Sequence, residues 1–221
     1  MRPEDLQEIL IRIPVLLLAL TVHEVSHGYF AYRMGDPTAA RMGRLSLNPL
    51  RHLDPLGTVC LLFAPIGWAK PVPVNPLNFH DRRKGILVST AAGPISNLIQ
   101  AVLFALALRL ILAYVGPAGS SGNPQVRQFV ILLSELCFVG VLINTGLAVF
   151  NLIPLYPLDG FHVLMQTLPA RFQQRFADTA VYGRVVILIL VFAGPVLKVD
   201  VLGMLILPPV RFVLRHVAGL T

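Results

Sequence analysis

Residues 13–32 read IPVLLLALTVHEVSHGYFAY. Twenty helical residues at 1.5 Å each reach about 30 Å, the thickness of bilayer hydrocarbon. The only ionisable side chains in the run are His23, Glu24 and His27. The stretch therefore reads as a membrane-spanning helix carrying a polar cluster. On a helix, positions i and i+4 share a face, so the HExxH spacing lets both imidazoles reach one metal ion, with the Glu24 carboxylate beside them. In a chain of 221 residues with six His and four Glu, the pattern is expected by chance roughly 0.003 times. The plain alternative, two histidines hydrogen-bonded to neighbouring helices, has to explain three ionisable groups within five residues at bilayer depth, where burial costs several kcal/mol unless compensated.

The rest of the chain agrees with a membrane protein. Hydrophobic types make up 55% and charged types 13%, with mean hydropathy +0.72, against about 25% charged in an ordinary soluble domain. That excludes disorder and argues against a soluble globule. Gly85 to Leu108 has no Asp, Glu, Lys, Arg or His, and Gln128 to Leu158 has only Glu135. Both are expected to span. Pro55 to Ala69 is uncharged but short, with Pro65 and Gly67 inside, and reads as a re-entrant or interfacial piece. Tyr182 to Leu197 and Val199 to Leu214 are weaker segments, the second expected to break at Pro208-Pro209. Gly116 to Pro124 reads as a flexible loop. Cys60 and Cys137 lie in apolar stretches and form no metal-binding pair.

The net charge of +7 sits in loops between apolar runs, which points to a membrane and away from nucleic acid. Of 18 Lys and Arg, eight fall in 33–84, three in 169–184 and two near the C-terminus. By the positive-inside rule those regions face the cytosol, and the first helix runs inward. The acidic n-region (Glu4, Asp5, Glu8) does not fit a cleaved signal peptide, so the segment is expected to be retained.

Two His ligands and a Glu that takes a proton from water are the working parts of zinc peptidases. A third protein ligand is needed. Asp159 follows the Pro-broken run NLIPLYPLDG (residues 151–160) at the same predicted membrane face as the histidines. It could equally cap a helix beginning near Gly160, and the two roles are compatible. Glu135 lies 24 residues earlier, too far along a helix, and is expected to face the bundle as a structural group. His162 is a candidate supporting group, while His52, His80 and His216 read as surface histidines.

HEVSHG in the first helix, Gly93-Pro94-Ile95-Ser96-Asn97 in the second and NLIPLYPLDG at the end of the third together resemble the site-2 proteases, zinc intramembrane metalloproteases. GWAKPVPVNP (residues 67–76) is similar to a segment of their short prokaryotic subgroup, which lacks PDZ and CBS domains. The resemblance covers about residues 15–165. It implies one Zn2+ per chain held by His23, His27 and Asp159, and Glu24 as general base. It implies for Asn97 a catalytic role steadying the oxyanion or substrate; the alternative is helix packing. The implied partners are a transmembrane protein substrate and the lipid bilayer, in a prokaryotic inner membrane with the site open to the cytosol.

The expected architecture is all-α and polytopic, one domain over 1–221. Core helices fall at about 9–33, 85–115 and 127–158, with C-terminal segments at about 182–197 and 199–216. A small cytosolic-side β-sheet and re-entrant region is expected in 36–84. There Val72 and Val74 would offer an edge strand to substrate, with Arg44 to Leu47 as its partner; a Pro-rich loop plugging the cleft is the alternative. Two other functions use similar residues. A zinc or proton transporter would explain buried ionisable groups, but no duplicated halves are present. A di-iron oxygenase would need about eight histidines.

Overall fold

The computed structural model describes residues 3–54, 57, 69–115, 123–197 and 200–220. The chain is mostly helical. Helix α1 covers Pro3–Arg33, α2 Thr38–Arg41, α3 Arg82–Val115, α4 Pro124–Asn151, α5 Asp159–Thr167, α6 Ala170–Asp178, α7 Ala180–Leu197 and α8 Val201–Val213, the last continued by a π-helical turn over Leu214–Ala218. Among the described residues, four stretches are long and apolar enough to cross a membrane: Gln7–Arg33, Arg82–Tyr114, Pro124–Asn151 and Val201–Ala218. Their outer faces are apolar, with Leu10, Leu103 and Leu110 all more than half exposed, as expected where lipid is the solvent.

Local chemistry sets the helix ends. At the end of α1, Gly35 takes φ +110° while Asp36 N–H returns to the Ala31 carbonyl, a glycine C-terminal stop. Asp81 caps α3 by accepting Lys84 N–H, and Asn123 caps α4 by accepting Gln125 N–H. Helix α4 stops at Asn151, not 158 as expected, because Pro154 and Pro157 offer no N–H to continue it. Pro208-Pro209, by contrast, lie inside α8 without ending it; in an apolar helix neighbouring groups can take over the freed carbonyls.

The expected cytosolic sheet is not found among the described residues. Among the described residues there is no strand, only an isolated antiparallel bridge between Leu53 and Ala69. Residues 36–54 and 69–84 instead form α2 and two 3-10 turns, Pro49–Arg51 and Pro76–Asn78. The physical reason is a shortage of donors. Pro71, Pro73 and Pro76 have none, and the N–H groups of Val72 and Asn75 go to the carboxylates of Glu24 and Asp36. The re-entrant piece expected at 55–69, including Trp68, lies almost wholly outside the described residues, as does 116–122 of the expected loop.

The chain divides into two compact units. One comprises Met1–Ala19, Asn97–Val149 and Gly203–Thr221. Its core is built on Ala105, Leu108, Cys137, Val141 and Ala218. Gly140 is required there, since a Cβ would fall 2.4 Å from the Phe104 ring. The other unit comprises Leu20–Ser96 and Phe150–Leu202 and holds the polar cluster of α1.

Candidate metal centre

His23 and His27 stand one turn apart on α1, and Asp159 is the first residue of α5. His23 Nε2 and His27 Nε2 are 3.0 Å apart, and each lies 3.3 Å from Asp159 Oδ2. The α4–α5 connection delivers the carboxylate. Gly160 makes the approach possible, because a Cβ there would lie 2.2 Å from the Leu152 carbonyl oxygen.

The second nitrogen of His27 fixes its ring. His27 Nδ1 is 2.8 Å from the Ser89 carbonyl oxygen on α3. A carbonyl only accepts, so Nδ1 carries a proton, and in the neutral ring Nε2 is left with its lone pair, the arrangement of a metal-binding histidine. Gly93, one turn further along α3, leaves room for both rings: a Cβ there would fall 2.4 Å from His27 Cε1 and 2.7 Å from His23 Cε1.

These atoms fit a divalent ion. A lone pair from His27 meets a second imidazole nitrogen and a carboxylate oxygen, and Asp159 Oδ2 is buried with no hydrogen-bond partner. Such a convergence of electron-pair donors is unfavourable without a cation among them. Ligands roughly 2.0–2.1 Å from a shared four-coordinate zinc stand about 3.3–3.4 Å from one another, close to the separations seen here. With no cation between them, protons on the two imidazoles fill that role: burial pushes the Asp159 carboxyl up, but their hydrogen bonds and charge outweigh it and hold the group down at about 2, so it is ionised at neutral pH.

Glu24 is not among the three converging groups. Its Oε2 accepts the Val72 N–H at 2.8 Å. Val72 is buried, and neither it nor Val74 lies in a strand among the described residues. His162 stays outside the ligand set, packed beside Tyr156 and Phe161; burial lowers its pKa, partly offset by Asp159.

Asn97 lies in the other unit. Its amide donates to the Ala19 carbonyl at 3.2 Å and to Asn144 Oδ1 at 3.0 Å. Asn144, a partner not singled out in the sequence, in turn donates to the Gly140 carbonyl. One other expectation changes. His52 is 2% exposed and held by the Ser46 carbonyl, so it is not a surface histidine. Glu135 is partly open to the outside on α4 but accepts a hydrogen bond from Gln7 of α1 at 3.0 Å, a contact within the bundle in keeping with the structural role expected of it. His80 and His216 are exposed, as expected.

Comparison with known proteins adds to this geometry. Residues 11–193 match the model of peptidase family M50. The chain is 40% identical over 176 residues to the "Putative zinc metalloprotease YwhC" of Bacillus subtilis (strain 168), covering 79% of this chain and 77% of that protein. It is 33% identical over 180 residues to the "Putative zinc metalloprotease Rip2" of Mycolicibacterium smegmatis, covering 79% of this chain and 63% of the relative. A Mycobacterium tuberculosis protein of the same name is 31% identical over 187 residues, covering 82% and 66%. No solved structure matches.

Proposed function

We propose, from the premise that the chain belongs to peptidase family M50, that this metalloprotease hydrolyses peptide bonds of transmembrane proteins within or just below the bilayer. The observation that carries the reading is the meeting of His23, His27 and Asp159 on one point, with Glu24 beside it on a helix long enough to span. His23, His27 and Asp159 would hold the zinc, which when bound would supply the Lewis acidity that activates the scissile carbonyl and the attacking water. Glu24 takes the proton of that water and returns it to the leaving amine. Ser89 keeps the His27 tautomer fixed, and Gly93 keeps the rings unobstructed.

The substrate is a membrane helix, which must unwind locally to present a carbonyl, because its own hydrogen bonds otherwise occupy the backbone. The concentration of Lys and Arg in 33–84 and 169–184 supports a site opening to the cytosol of a prokaryotic inner membrane. The chain acts as one catalytic domain. Asn97 donates both amide hydrogens within its own unit, so an oxyanion role requires the release of one of them. The transporter reading is disfavoured by the family membership.

The test is co-expression with a library of tagged single-span proteins, comparing wild type with Glu24→Gln. The variant keeps zinc but cannot accept a proton at neutral pH, so products present with wild type vanish with the variant. Cleavage at equal rate by both would refute the general-base assignment.

A further inference from the structure

The Pro-rich strap 69–76 meets the proposed catalytic machinery at the Val72 N–H, 2.8 Å from Glu24 Oε2. The strap is fastened on both sides of that contact. Lys70 N–H donates to the His52 carbonyl at 2.8 Å, and Arg44 Nη2 donates to the Lys70 carbonyl at 2.6 Å. Asn75 N–H donates to Asp36 Oδ2 at 2.7 Å. Between these anchors the Val72 side chain lies on α1 over Gly28, where a Cβ would stand 2.9 Å from Val72 Cγ1. Pro71 and Pro73 flank it, with fixed φ and no N–H of their own.

A strap tied at both ends and bearing a single donor at this point is suited to holding a side chain still. A carboxylate has two oxygens. The Val72 N–H engages Oε2, so Oε1 is the atom left for the proton of the attacking water. A general base works only when held within hydrogen-bond reach of that proton, and a glutamate left to its three side-chain torsions samples many geometries.

We infer that Val72 is a positioning residue, whose backbone N–H fixes the rotamer of Glu24 for proton transfer. The inference rests on the general-base reading of Glu24. It differs from a blocking role, in which the strap would occupy Glu24 until substrate displaced it.

Two measurements test it on the full-length protein in micelles. The first needs no activity. Val72 carries the one exchangeable backbone amide in Pro71-Val72-Pro73, so hydrogen exchange resolved to these residues reports this hydrogen bond alone. Glu24→Ala removes the acceptor and should speed exchange at Val72 roughly tenfold or more. Unchanged exchange would overturn the inference.

The second is kinetic, on a single-span reporter recovered from the co-expression screen. Val72→Pro removes the donor and should lower kcat about 10–100-fold, with KM and zinc content as in wild type. Val72→Ala keeps the donor and should hold kcat within about threefold. Equal losses in the two variants would reduce Val72 to a packing residue, and faster cleavage by Val72→Pro would establish the blocking role; either overturns the inference. Should Val72→Pro fail to fold, the exchange comparison still decides. A wild-type chain that cleaves no reporter would count against the protease reading, leaving the exchange result on the contact standing.

Discussion

Replacing Gly93 by Ala adds one methyl group at the most crowded point of the metal centre. The new Cβ would lie 2.4 Å from His27 Cε1 and Nε2 and 2.7 Å from His23 Cε1, where ordinary contact begins at 3.4 Å. The His27 ring must therefore retreat by about 1 Å, or α3 must move away by as much. A zinc site tolerates ligand displacements of only about 0.2 Å. The ring is also pinned from behind by the Ser89 carbonyl, so retreat costs that hydrogen bond too. Overpacking of this kind costs roughly 1–3 kcal/mol. Charged to metal binding, that is a loss of about 5–150-fold in zinc affinity at 1.4 kcal/mol per tenfold. The assay is competition of purified protein against a chelator of known affinity, followed by metal analysis. Gly146→Ala serves as control, since its Cβ would meet only Ile206 Cγ2, at 3.6 Å. Zinc affinity within threefold of wild type in Gly93→Ala would refute the reasoning, because the rings would then have room the structure denies them.

Asp159→Ala should lose zinc while far-ultraviolet circular dichroism stays helical; full zinc occupancy with normal cleavage would place the third ligand elsewhere. The fold around the strap should be acid-sensitive. Burial raises the Asp36 carboxyl, but hydrogen bonds from Asn78, Thr38 and Asn75 outweigh it and leave it below its usual 3.8. This contribution is present above about pH 4 and is lost as pH falls through 3.8 toward the lowered folded value. Thermal unfolding followed from pH 6 to pH 3 should therefore show a decline that Asp36→Asn flattens; parallel profiles would count against it. For topology, a cysteine placed at Asn123 in a chain lacking Cys60 and Cys137 should react with an impermeant reagent from the periplasmic side. Labelling from the cytosolic side alone would invert the proposed orientation.

What could be read in the sequence is what covalent spacing determines. His23 and His27 share a helix face whatever surrounds them, and two prolines before Asp159 fix where its helix can begin. Residues acting through their backbone were not readable, because every residue has a carbonyl and most have an N–H. Nothing in its type marks Ser89 as the partner of His27, or Val72 as the partner of Glu24. The alternating prolines that suggested an edge strand also removed the donors a sheet would need. Asn97 was recognisable as an amide facing another helix, but its partner Asn144 is 47 residues away and has no motif. His52 sits in a basic loop and looked like a surface group, although its ring is turned inward to the Ser46 carbonyl.

The α3 turn from Ser89 to Gly93 acts as a registration mark between two helices. In a helix the Ser89 carbonyl also takes the N–H of residue 93, so the atom that steadies His27 belongs to the same turn that clears space for it. Sliding α3 by one residue would rotate that turn by about 100° and 1.5 Å, withdrawing the carbonyl and bringing a side chain into the space Gly93 leaves empty. Helices α1 and α3 can therefore mate in one register only, and the metal centre exists in that register alone. A motion that admits a substrate helix has to leave this turn in place.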